Sequence, residues 1–288
     1  MSSVLFDAPG PRTRRRIRLV NLAGALVLLA VLTWVVWGLA RQGQFEPAKW
    51  TPFVGSSMWN HYLLVGLANT VRAAAIAIVT SLAFGIVFGL GRLAHLAPIR
   101  WVCTVIVEFF RAIPVLIMMI FFLSLFSAFD AVPSGDAPLV AVVVALTLYN
   151  GSVIAELVRS GVHNLPAGQR EAAMAIGLTA GRSRRIIELP QALIAMMPSL
   201  VSQLVVILKD TALGSIITYP ELLRSAERAA TNWSNFIPAM IVTAAVFIVI
   251  NYSLTRVAAL VNRRLDRRTA TSPEAGAEVE RVRAADPA

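Results

Sequence analysis

Residues 171–190, EAAMAIGLTAGRSRRIIELP, form a polar island in an otherwise apolar chain. Glu171, Arg182, Arg184, Arg185 and Glu188 are spaced by small, helix-forming residues, and long uncharged runs lie on either side. Of 288 residues, 57% are hydrophobic and 15% are charged, against roughly 25% charged in soluble domains. Mean hydropathy is +0.70. So few charges cannot cover a water-facing surface, and the chain is read as an all-α polytopic membrane protein.

The windows 19–40, 73–91, 112–129, 139–155, 191–208 and 229–255 contain no Asp, Glu, Lys or Arg. A spanning helix needs about 20 mostly apolar residues, so about six transmembrane helices are expected. The runs are too continuous for the alternating strands of a membrane barrel. The net charge of +10 does not point to nucleic acid, because the basic residues cluster at the ends of the apolar runs. They fall on alternate sides of successive spans, at 12–18, 92–100, 182–185 and 263–268. By the positive-inside rule both termini and the 171–190 segment are cytoplasmic. The first apolar run is too long for a typical signal core. The single Cys103 allows no internal disulfide and reads as a small buried apolar residue. His61, His95 and His163 are scattered, so no metal site is expected.

The chain then divides into a basic tail (1–18), a first helix (19–40), a core (62–260) and a charged tail (261–288). Within the core, helices are expected at about 62–91, 101–126, 139–158, 191–217 and 237–260. Pro114 loosens the third of these, and Pro198 lies near the start of the fifth stretch. Gly85 and Gly89 have the small-xxx-small spacing of close helix contacts. Arg72, near the outer end of its span, snorkels to the interface or attracts substrate. The outer connection, about 218–236, contains Pro220, Glu221, Arg224, Glu227 and Arg228.

The polar segment itself reads as helix–Gly–helix. QREAAMAI supplies about two helical turns, Gly177 suits a left-handed cap, and Thr179 caps a second short helix over AGRSRRIIE. Leu189–Pro190 leads into the fifth span. On physical grounds alone, an interfacial loop snorkelling its arginines competes with a partner-docking surface. The spacing Glu171-Ala172-Ala173, three residues, Gly177, nine residues, Ile187, one residue, Leu189-Pro190 matches in full the EAA signature. The chain therefore resembles the permease subunits of ABC importers. EFFRAIPVLIMMIFF (108–122), YNGSVIAELVRSGVHNLPAGQREAA (149–173) and LVVILKDTALGSIITYPEL (204–222) are similar to segments of the polar amino-acid permeases. The likeness runs from about residue 63 to 260. Ala112–Ile113 replaces the usual Gly-Thr of the RGTP form, a variant similar to actinobacterial glutamate-importer permeases.

The resemblance implies a type I importer permease fold in a prokaryotic plasma membrane. It implies that the loop 164–190 docks on a separate ATPase through Glu171, Ala172, Ala173, Gly177, Ile187, Leu189 and Pro190. It also implies two ATPase subunits, a second permease, identical or homologous, an extracytoplasmic solute-binding protein and an amino-acid substrate. ATP and Mg would be held by the ATPase and no cofactor by this chain. Independently, a phosphate-binding loop needs Gly-Lys-Ser/Thr. The only lysines, Lys49 and Lys209, follow Ala48 and Leu208.

Ionisable groups within a span are costly and usually functional. Lys209 and Asp210 either support helix packing or line the path, meeting a carboxylate and an ammonium respectively. Asn150 and Gln203 are neutral polar candidates for the same path. Glu108–Arg111 and Glu156–Arg159 are i,i+3 pairs that either brace helix ends or form an inner gate. The rival reading is an ATP-independent carrier or channel, which would need no docking loop and often shows an internal repeat.

Overall fold

The structure, a computed structural model, describes residues 10–269. The parts of the two expected tails at 1–9 and 270–288 lie outside the described residues. Helix α1 (Pro11–Arg41) starts well inside the basic segment, with proline in its first turn, where a missing N–H costs nothing. The expected tail 1–18 is therefore helical from Pro11 onward. No residue of α1 is buried, so it stands apart from the rest of the chain.

Two short helical turns, Pro47–Trp50 and Thr51–Phe53, lead to α2 (Ser56–Arg92). Trp50 and Trp59 donate their indole N–H groups to the carbonyls of Gln44 and Phe53, at 2.9 and 2.8 Å. Next come α3 (Ala97–Ala112), α4 (Val115–Ala128) and α5 (Ala137–His163). They are followed by α6 (Ala167–Ala175), α7 (Ala180–Ala195) and α8 (Met197–Ser215). The chain finishes with α9 (Leu222–Trp233) and α10 (Phe236–Thr269). No strand occurs among the described residues. By length and composition α1, α2, α5 and α10 can cross a membrane alone. The pairs α3–α4 and α7–α8 are bent by 99° and 59°, and counting each pair as one span gives six.

Three expected helix boundaries are corrected. The third helix is not continuous over 101–126: Ile113 is extended (φ −92°, ψ 128°), as a residue before proline prefers, and the chain turns sharply at Pro114. The fifth stretch breaks at Met196, just before Pro198, and not at Leu189–Pro190. Pro190 has no N–H to donate, and the π-wound turn Arg184–Glu188 immediately before it lets α7 continue. The last helix extends to Thr269 rather than ending near 260.

The contact between α2 and α5 is the most extensive in the chain. Its α2 side is a stripe of small residues at helical spacing, Ala73, Ala77, Ser81, Gly85 and Gly89, which continues through Thr70 and Gly66 against α9. A Cβ at Gly89 would lie 2.8 Å from the Cβ of Val158 and 3.0 Å from the carbonyl oxygen of Ala155. One at Gly85 would run into the Ile154 side chain and approach the Gly151 carbonyl to 3.0 Å. The spacing read from sequence thus serves close backbone packing. Thr80 and Thr147 share a hydroxyl hydrogen bond across the same seam at 2.5 Å. Met118 and Met119 of α4 and Ile207 of α8 complete the core around it. Cys103 is only half-buried, against the expectation that it is interior.

Gly85→Ala is expected to destabilise the chain by about 1–3 kcal/mol, the usual effect of overpacking. Thermal unfolding in detergent measures it. Adding Ile154→Ala makes room and should recover part of the loss. No recovery would mean that the carbonyl of Gly151, not the Ile154 side chain, sets the limit.

Candidate functional site

The segment 164–190 folds as two helices around a tight glycine turn. Helix α6 ends in a Schellman arrangement, with Leu178 N–H donating to Ala173 O (3.1 Å) and Gly177 N–H to Met174 O (3.0 Å). This requires a left-handed residue, and Gly177 has φ +82°. Thr179 holds the N-cap position of α7, but its hydroxyl makes no cap hydrogen bond, contrary to expectation. Glu171, Ala172, Gly177 and Pro190 are exposed, Ile187 and Leu189 are half-buried, and Ala173 is buried. Beside them Met174 is 54% and Ile176 76% exposed. The turn thus presents small and apolar groups at its tip.

Its inner side is anchored. Ser183 Oγ donates to Glu188 Oε1 at 2.6 Å, and both residues are buried. The Arg184 guanidinium donates to the carbonyl of Leu93, at the end of α2. Leu93 packs with Val162 and Ala192, and with Leu165 and Leu189. A half-open cavity of about 480 Å³ lies between α6 and this anchor, lined among others by Pro166, Glu171, Met174 and Arg184.

The two expected ion pairs are one cluster. Glu156 accepts from Arg159 (2.7 Å), and Arg111 lies 3.3 Å from Glu108 and 3.4 Å from Glu156. Arg92, which was read only as a basic residue at a helix end, joins them. Its guanidinium is 2.9 Å from Glu108 and 2.7 Å from Glu156, with 5% of the side chain exposed. A signal for it existed: position 92 continues the stripe 81, 85, 89 and so faces α5. Three arginines against two glutamates leave a formal charge of 3 − 2 = +1.

Three of the four residues expected along a path meet. Gln203 Nε2 donates to Asn150 Oδ1 at 2.6 Å, and Asn150 is a polar neighbour of the Asp210 carboxylate. Asn150 is fully buried. Lys209, next to Asp210 in the chain, is exposed. Arg72 is exposed too.

At the opposite end of α2 the connection 218–236 holds the amphipathic helix α9. Glu221 caps it, accepting from Leu223 N–H at 2.8 Å and Arg224 N–H at 2.6 Å. Thr70 Oγ1 accepts from Leu222 N–H at 3.0 Å, and Asn69 donates to Pro220 O at 2.9 Å. A carboxylate N-cap followed by an apolar–small periodicity was readable in ELLRSAERAA. Burial pushes the Glu221 carboxyl up to about 7, against the pull of the two N–H donors.

An all-helical membrane chain with bent spans and an exposed EAA turn at one end is a transport permease in form. The sequence profile described as "Binding-protein-dependent transport system inner membrane component" matches residues 81–267. The chain belongs to that family. It is a multi-pass membrane subunit without catalytic activity, whose ATPase is a separate partner. The glutamate transport system permease protein GluD of Corynebacterium glutamicum is 46% identical over 227 residues, 79% of this chain and 83% of its own. The probable glutamine ABC transporter permease protein GlnP of Bacillus subtilis is 33% identical over 224 residues, 75% of this chain and 98% of its own. Among solved structures, an amino acid ABC transporter crystallised with histidines superposes with TM-score 0.65 at 26% identity, covering 70% of this chain and 93% of that one. A chain of the MetNI methionine ABC transporter gives TM-score 0.57 at 20% identity, covering 72% of this chain and 95% of that one, a likeness of fold alone.

Gly177→Ala keeps the space but forces a Cβ into left-handed backbone, at about 1–2 kcal/mol. Hydrogen exchange should quicken over 167–178 and stay unchanged in α2 and α5. For Glu221, a carboxyl that holds its proton more tightly folded than unfolded weakens the fold as pH rises. Stability should therefore decline between about pH 4.5 and 7. Glu221→Gln should flatten that slope in detergent unfolding, and an unchanged slope would assign it to other groups.

Proposed function

We propose that this permease serves an ATP-driven importer of an acidic amino acid, glutamate first, and works by alternating access. The observation that carries the substrate is the 46% identity to a glutamate permease across most of both chains. The other relatives named above also belong to amino-acid transporters.

In this reading the 164–190 turn is cytoplasmic, as are both termini. Its tip docks on the ATPase through Glu171, Ala172, Ala173 and Gly177, with Met174 and Ile176 as apolar contacts. Ile187, Leu189 and Pro190 hold the turn to the span behind it. Two ATPase subunits, holding ATP and Mg, close and displace the turn. A second permease, identical or homologous, completes the path, and an extracytoplasmic binding protein delivers substrate at the opposite end. Asn150, Gln203 and Asp210 are the polar groups of the path. Lys209 offers a cation on an exposed surface. The cluster of Glu108, Arg111, Glu156 and Arg159 around Arg92 is an inner gate.

The test is ATPase activity in proteoliposomes holding this chain, its partner permease, the ATPase and a loaded binding protein. Glutamate or aspartate should stimulate hydrolysis, and Glu171→Ala should abolish the stimulation. Stimulation by a different amino acid would keep the mechanism and move the substrate. Uptake that proceeds without any ATPase would overturn the reading in favour of a carrier.

A further inference from the structure

Two adjacent residues, Arg92 and Leu93, tie together elements that the sequence keeps far apart. Leu93 is the C-cap of α2, where carbonyls lack helical partners. Arg184 of α7 supplies a guanidinium to its carbonyl, a favourable charge for a helix C-terminus. The Leu93 side chain is gripped by Leu189 and Ala192 of the same helix. One residue earlier, the buried Arg92 holds Glu108 and Glu156 at 2.9 and 2.7 Å. Glu108 lies near the end of α3, close before the 99° break at Ile113–Pro114. A displacement of α7 therefore reaches the end of α2 through a hydrogen bond and a packed side chain. It reaches the α3–α4 corner through a buried guanidinium.

We propose that Arg184 and Arg92 are the positioning residues that carry movement from the 164–190 turn to the α3–α4 corner. Arg184 pulls on the Leu93 carbonyl. Arg92 turns that pull into a shift of the Glu108 and Glu156 carboxylates, and the corner opens or closes with them. Neither arginine belongs to the EAA signature, and neither lies at the exposed tip. The cluster favours this role over that of a passive brace, because it has alternative pairings already within reach. Arg111 touches both carboxylates at 3.3 and 3.4 Å, so Glu108 and Glu156 can change partners without stranding a charge. The inference rests on the reading of the turn as the ATPase-docking element.

The experiment compares Arg184→Gln, Arg184→Lys, Glu108→Gln and the double variant Arg184→Gln/Glu108→Gln in the full reconstituted transporter. Two quantities are read: co-purification of the ATPase, and the ratio of binding-protein-stimulated to basal hydrolysis. Arg184→Gln and Glu108→Gln should each assemble with the ATPase and lower the ratio by about 3- to 30-fold, the scale of coupling along such networks. Arg184→Lys, which keeps a charged donor, should recover part of it. The double variant should be no worse than the worse single, since both break one linkage. Unchanged ratios, or losses that multiply in the double variant, would overturn the proposal. Should Arg184→Gln fail to fold, the half-exposed Glu108 still carries the test through Glu108→Gln alone. Glu171→Ala separates the two readings. If it leaves assembly and stimulation intact, the docking assignment itself fails. If it abolishes stimulation while Arg184→Gln does not, only the present inference fails.

Discussion

Everything in this fold depends on how closely α2 and α5 approach each other. Lipid tails are as apolar as leucine, so two spans gain little from hydrophobicity alone and must gain it from packing. The stripe from Gly66 to Gly89 removes side-chain bulk along one whole face of α2, and Ile154 and Val158 fill the space this opens. The same stripe continues past the α5 contact to meet α9, and so it ties the two ends of the molecule together. At one end Gly66 leaves room for α9, where an added Cβ would lie 2.8 Å from Leu222 Cα. At the other end the stripe finishes in Arg92, which can be buried only because Glu108 and Glu156 meet it there.

Burying that guanidinium has consequences. A cation taken out of water is stable only when paired. Arg92 therefore dictates where α3 and α5 end relative to α2. The sharp corner at Pro114 follows from the same demand: α3 must bring Glu108 to Arg92, while α4 must turn away to cover α2 and α5 with Met118 and Met119. A straight helix over 101–126 could not satisfy both.

Much of this was legible in the sequence. The absence of charge over long windows announced the spans, and the EAA spacing announced the turn with its left-handed glycine. Gly85 and Gly89 announced the close seam. What escaped was set by partners distant in sequence. Proline at 114 signalled a disturbance, but whether a helix kinks gently or turns through 99° depends on what lies on each side of it. Arg92 looked like any basic residue at a helix end, because the two glutamates that bury it come from α3 and α5. The i,i+3 pairs were visible as local pairs, and their merging into a single cluster was not. The α9 helix was missed for a different reason. Its charged face breaks up the apolar pattern of 218–236, although its small and apolar residues recur at helical spacing.

Local winding also carries meaning that composition hides. The π-wound turn Arg184–Glu188 does two things at once. It lets Pro190 sit inside a continuous helix, and it sets Arg184 towards Leu93 while Ser183 and Glu188 bond to each other on the buried side. A regular α-turn there would rotate every later residue of α7, including Leu189 and Ala192, away from Leu93. The fixed isoleucine, leucine and proline of the EAA signature can thus be understood through the geometry behind the turn as well as through its exposed tip. Glu171 and Gly177 shape what faces outward. Leu189, behind the turn, packs against Leu93 at the end of α2.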